Sequence, residues 1–184
     1  MKTYLITDPK YYTNNPQTFA DTLSNALKKH KIDYACFRDK NSSNLDELVK
    51  TFVNICKKLD INNILINSYI DLAIKHRAKG VHLTSLQFDE ITKAKNAGLF
   101  VVVSCHSIDD IKKAKSLGAD GVTYSPVFET PDKGRPIGLD ALNIAKESVK
   151  DIMIFALGGI ITDEQIDSIK KTKADGFASI RYFV

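Results

Sequence analysis

The chain has 184 residues, 43% of them apolar, with 26 lysines and arginines against 22 aspartates and glutamates, a formal net charge of +4. That length fits one domain spanning residues 1–184, and the apolar content supports a sizeable core and argues against disorder. Lysines spread over helical faces without aromatic interleaving argue against a nucleic-acid partner, and no apolar run approaches the ~18 residues of a membrane span, so no membrane partner is expected. Three cysteines, Cys36, Cys56 and Cys105, form an odd set without CxxC spacing, unlike a disulfide scaffold or a zinc site. The N-terminal MKTYLITDP enters strand-like sequence without a signal peptide's apolar stretch, so a cytoplasmic location is expected.

Short aliphatic runs recur along the chain at residues 3–6, 34–37, 63–66, 80–83, 99–103, 121–124, 152–157 and 176–180. Helical patterns separate them. After the first strand, Pro16 suits the first turn of a helix carrying Phe19, Leu23 and Leu27. After the second, Leu45, Leu48, Val49, Phe52, Val53 and Cys56 form the i, i+3, i+4, i+7, i+8 stripe of a helix laid on a sheet. Asn44 with Glu47 and Thr162 with Gln165 have capping-box spacing, and Ser107 is placed to cap the helix holding Ile108, Ile111 and Ala114. Related turns precede the even-numbered strands: His30–Tyr34, Ala78–Val81, Gly118–Val122 and Lys173–Phe177.

Eight strands in βα order predict an α/β fold, a minimal (β/α)8 TIM barrel. Such barrels usually have about 250 residues, and little sequence follows the eighth strand, so the eighth helix is expected to be truncated or missing. The exposed flank is then expected to be covered by a subunit contact, as in a homodimer, or by the N-terminal segment.

In this architecture ligand chemistry sits just after each strand. The residues there are rich in cations and hydroxyls and poor in carboxylates, which suits a phosphorylated small molecule better than a paired-carboxylate hydrolysis. Gly158-Gly159 reads as a phosphate cradle joined by Ser179 and Arg181, or as a tight turn needing positive φ. Arg38 and Lys40 flank Asp39 and suit a diphosphate, or form a solvated strand-end ion pair. Lys133 and Arg135 lie in a loop that is either structural or a lid. His106 and Cys105 offer proton transfer, but as neighbours in sequence their side chains diverge. His82 reads as a satisfied interior histidine, and Cys36 and Cys56 as packing residues.

These residues resemble the thiamin phosphate synthase superfamily, which includes the TenI-type thiazole tautomerases. The resemblance rests on LITD at 5–8, FRDK at 37–40, ILIN at 64–67, GVHL at 80–83, SCHS at 104–107, GADGVTYSPVF at 118–128, the loop 130–133, IGL at 137–139 and LGGI at 157–160. It implies the barrel fold and the coupling of a hydroxymethylpyrimidine diphosphate with a thiazole phosphate. It further implies that Arg38, Lys40, Asn67 and Lys133 hold the diphosphate and that Ser104, Thr130 and Lys133 are catalytic. Gly158, Gly159, Ser179, Ile180 and Arg181 would hold the thiazole phosphate.

The departures bear on cofactor and activity. The aspartates that carry Mg²⁺ in the synthase fall at Ser68 and Gln87, so no metal ligand is assigned and Mg²⁺ stays an open cofactor. Cys36 replaces a glutamine, and Arg181 a serine, typical of the family. The histidine of the tautomerases falls at Pro126, which would leave His106 or Cys105 to move protons. Three readings follow: a synthase-type transferase, a metal-free tautomerase, and a non-catalytic binder of thiamin phosphate.

Overall fold

The computed structural model describes residues 1–131 and 133–184. Eight parallel strands, β1 (Lys2–Ile6), β2 (Tyr34–Phe37), β3 (Asn63–Asn67), β4 (Gly80–Leu83), β5 (Phe100–Cys105), β6 (Gly121–Tyr124), β7 (Met153–Leu157) and β8 (Gly176–Ser179), close into a barrel in sequence order. β8 returns to β1 with Leu5 opposite Ser179. Two helices follow β1, α1 (Pro9–Tyr12) and α2 (Pro16–Lys29), and one follows each strand from β2 to β7. These are α3 (Leu45–Lys58), α4 (Ile70–Lys75), α5 (Ile91–Asn96), α6 (Ile108–Ser116), α7 (Gly138–Ser148) and α8 (Asp163–Lys170). The chain is a (β/α)8 TIM barrel.

Strand alternation divides the core into two layers. Outward residues such as Val101, Val103 and Cys105 meet the helices in one continuous cluster. Inward residues, Tyr4, Ile6, Tyr34, Cys36, Leu65, Val102, Phe155 and Ala178, fill the barrel. The ring of Phe155 stands edge-on to Tyr4 at 5.3 Å and to Tyr34 at 5.2 Å, which closes the interior with aromatic surface.

Helix starts follow the sequence at Ser107 and Thr162, each in a complete capping box with Asp110 and Gln165. Asn44 differs. Its φ of −102° and ψ of 33° are not the extended geometry of a capping residue, and its side chain donates instead to the Asn14 carbonyl at 3.1 Å. Asn67, Ser104 and Cys105 also lie inside strands longer than the sequence pattern indicates.

Among the described residues no helix follows β8. Beside β8 the chain's own Tyr182 and Phe183 pack against Phe177. Phe183 is buried, stacks on Phe177 at 5.8 Å, and receives the edge of His30 at 5.4 Å.

Candidate functional site

The C-terminal rim of the barrel carries the candidate residues at the strand ends. At the first two, Arg38 forms an ion pair with Asp8, and Thr7 accepts from the Arg38 amide at 2.9 Å. Asp39 turns away from both cations: its carboxylate is buried and accepts from the amides of Asn41 and Ser42. Lys40 is exposed, so Arg38 and Lys40 differ in setting, one held against a carboxylate and the other in solvent.

Below the rim lies a buried polar chain. Tyr4 Oη is 2.9 Å from His82 Nδ1, and His82 Nε2 lies 3.1 Å from Ser104 Oγ and 3.3 Å from Thr123 Oγ1. Burial, reinforced by the Arg38 charge, lowers the His82 pKa to about 3, so the ring is neutral with one donor and one acceptor nitrogen. His82 is the satisfied interior histidine its setting in GVHL suggests. Tyr4 and Thr123 were not legible as partners; the only signal for Tyr4 is its shared inward parity with Ile6. Cys36 lies in the same interior, its thiol pushed up to about 12 by burial.

Asn67 Nδ2 donates to the His82 carbonyl at 2.7 Å, and its Oδ1 accepts from Ser68 Oγ at 3.3 Å, so the amide is already engaged at both ends. Gln87 Oε1 accepts from the Thr84 amide and hydroxyl at 3.1 Å, while Nε2 donates to the Ser68 carbonyl at 3.1 Å. Ser68 and Gln87 are therefore neighbours, joined by neutral hydrogen bonds.

At the end of β5 the two proton-transfer candidates separate. Cys105 points into the helix-facing core, buried, with its pKa raised by desolvation, which is the wrong layer for chemistry at the mouth and corrects that expectation. His106 Nδ1 lies 3.0 Å from the Ser125 carbonyl, which makes Nδ1 a donor and fixes the ring's orientation. Ser125 leads into Pro126, and this loop backs the double glycine.

Gly158 and Gly159 both have positive φ, +97° and +71°. A Cβ on Gly158 would come within 2.7 Å of Pro126 and 3.3 Å of Thr130 Oγ1, and one on Gly159 within 2.5 Å of the Glu129 carbonyl oxygen. Close approach of the 126–130 loop thus demands glycine here whatever binds. Thr130 Oγ1 donates to the Phe128 carbonyl at 3.0 Å, and the exposed Lys133 turns back through its amide to the Thr130 carbonyl at 3.2 Å.

Among the described residues the amides of Gly158, Gly159, Ile160, Ile180 and Arg181 donate to no protein acceptor. Ser179 Oγ donates to the Ile160 carbonyl at 2.8 Å and so ties the loop after β7 to the loop after β8. Free amides on two linked loops, beside the N-terminus of α8 and the exposed Arg181, form an anion-favouring corner.

A family profile described as thiamine monophosphate synthase matches residues 3–183. The chain belongs to this family. It is 37% identical, over 98% of its own length and 96% of the other's, to an Aquifex aeolicus (strain VF5) protein provisionally named thiamine-phosphate synthase 2. It is 30% identical to the thiamine-phosphate synthase of Clostridioides difficile (strain 630), over 98% of this chain and 86% of that one. Among solved structures it is similar to a thiamine phosphate pyrophosphorylase from Pyrococcus furiosus, with a TM-score of 0.82, 29% identity, and coverage of 97% of this chain and 85% of that one.

The family resemblance implies Mg²⁺ where Ser68 and Gln87 stand, and the residues present do not fit it. A hard dication needs charged oxygens, whereas the Gln87 carbonyl oxygen is already engaged by two donors and Ser68 offers a neutral hydroxyl. Nearby Asp71 is 90% exposed and 4.0 Å from Lys93, so it is directed outward. Among the described residues no three His, Cys, Asp or Glu side chains gather to hold a metal ion.

Proposed function

We propose that the protein is a thiamin-biosynthesis transferase of the cytoplasm, coupling a hydroxymethylpyrimidine diphosphate with a thiazole phosphate to give thiamin phosphate and diphosphate. The observation that carries this reading is the corner of free amides at 158–160 and 180–181, joined through Ser179, in a chain of this family.

In this reading Gly158, Gly159, Ser179, Ile180 and Arg181 grip the thiazole phosphate, Ser179 by fixing the two loops. Arg38, Lys40 and Lys133 meet the diphosphate. The bond from the pyrimidine methylene to the diphosphate oxygen breaks, the diphosphate leaves with the electron pair, and the thiazole nitrogen lone pair forms the new C–N bond. Negative charge grows on the leaving oxygens, so fixed cations lower the barrier. Asn67 reaches the diphosphate only by giving up its bond to the His82 carbonyl. Ser104, oriented by the neutral His82, and Thr130, oriented by the Phe128 carbonyl, border the reacting groups.

Incubating the chain with both substrates and separating products by chromatography tests this. Thiamin phosphate is expected, and Ser68→Asp combined with Gln87→Asp is expected to raise the rate in Mg²⁺. A second reading is favoured by the His106–Ser125 contact, which leaves Nε2 as a proton carrier. A tautomerase would rearrange the thiazole alone, indifferent to chelator. Thermal stabilisation by thiamin phosphate without turnover in either assay would point to a binder.

A further inference from the structure

The corner that grips phosphate in the reading above is assembled from two loops, and the second, after β8, must be held against the first. What holds it is a short strap. Ser179 Oγ donates to the Ile160 carbonyl at 2.8 Å and accepts from the Tyr182 amide at 3.2 Å, so one hydroxyl joins loop to strap. Tyr182 Oη donates to Asp163 Oδ1 at 2.6 Å, in the first turn of α8. Phe183 anchors the far end against Phe177 and His30. The free amides of Ile180 and Arg181 lie between the Ser179 and Tyr182 ties.

We propose that Tyr182 is a positioning residue, whose hydroxyl bond to Asp163 sets the Ile180 and Arg181 amides against the 158–160 turn and thereby sets affinity for a phosphate monoester. The inference rests on the phosphate reading of that corner. Its physical basis is that a hydrogen bond to a carboxylate is among the stronger neutral-to-charged bonds. It also spans the gap between the two halves of the site, because Asp163 belongs to the β7 side and Tyr182 to the β8 side. The carboxylate raises the phenol pKa, so the hydroxyl stays a donor through the neutral range. The ring itself packs edge-on against Phe177 at 5.7 Å and Phe183 at 5.2 Å, contacts that do not involve the hydroxyl.

Tyr182→Phe separates the two roles, since it keeps the ring and removes only the tie. Isothermal titration of the full chain with inorganic phosphate and with thiamin phosphate is expected to show binding weakened about threefold to tenfold, the range of one lost hydrogen bond. In turnover, KM for the thiazole phosphate should rise by a similar factor with kcat unchanged. Asp163→Ala should match it, and the double variant should be no worse than either single one, since both remove the same bond. Unchanged affinity in Tyr182→Phe, or additive losses in the double variant, overturns the inference while leaving the phosphate reading standing. A native chain that binds neither anion overturns the phosphate reading and this inference together.

Discussion

His82 occupies an expensive position: a polar ring inside a barrel otherwise lined with aromatic and aliphatic groups. It is tolerated because both nitrogens have partners, Tyr4 on one side and Ser104 with Thr123 on the other. Neutrality is the condition for that arrangement, and it links stability to pH. The unfolded ring titrates near 6.5 and the folded ring near 3, so between these values the unfolded state binds the extra proton. Stability from this residue is complete above about pH 6.5 and is lost as pH falls toward 3, with a slope approaching about 1.4 kcal/mol per pH unit. Urea unfolding of the native chain and of His82→Gln across pH 4–7 should show the steeper decline in the native chain. Equal slopes would mean that the ring is hydrated or charged in the folded state. GVHL alone identifies the histidine as interior; its partner Tyr4, 78 residues away, follows only from barrel closure.

At the scale of elements, the turn after β7 shows why a sequence motif can support two meanings at once. Gly159 combines left-handed backbone with a carbonyl from the neighbouring loop 2.5 Å from where a Cβ would sit. Gly98 has similar φ, +76°, and open space around it. Gly98→Ala should therefore cost only the conformational strain, about 1–2 kcal/mol. Gly159→Ala must also push back the 126–130 loop, which carries Thr130. Chemical denaturation should find the Gly159 variant the less stable of the two, and titration with inorganic phosphate should find its binding impaired, while Gly98→Ala binds normally. The glycine pair was legible in the sequence, but its crowding was not, because the crowding comes from a loop some thirty residues earlier. Helix starts show the same limit: Ser107 and Thr162 cap as their spacing indicates, whereas Asn44 is drawn to Asn14, on a loop that only the fold brings alongside.

Over the whole molecule, the recurring turn before even-numbered strands has a physical purpose at the face opposite the site. Asp33 accepts from the Thr3 amide at 2.8 Å, Asp120 from the Val101 amide at 2.7 Å, and Asp175 from the Ile154 amide at 2.8 Å. Each aspartate ahead of an even strand thus clips the start of the odd strand before it, and pins the register of that pair. Two of the clips are reinforced by lysines from the helices that precede those odd strands, Lys95 of α5 on Asp120 at 2.8 Å and Lys146 of α7 on Asp175 at 2.5 Å. The turn before β4 has Lys79 in place of an aspartate, and the clip is missing there. The echo was visible in the sequence as similarity of turns; its meaning required knowing which strand lies alongside. These clips serve stability and not chemistry, because they sit at the N-terminal ends of the strands while the candidate site occupies the C-terminal rim. Asp175→Ala leaves the Ile154 amide and the Lys146 ammonium without their carboxylate, at an expected cost of about 1–3 kcal/mol. The predicted signature is a lower denaturation midpoint with phosphate affinity unchanged at temperatures where the variant is folded. Gly159→Ala should lose both, so the pair separates the face that holds the barrel closed from the face that holds the ligand. A fall in phosphate affinity for folded Asp175→Ala would show that the two faces are coupled through β7 and β8.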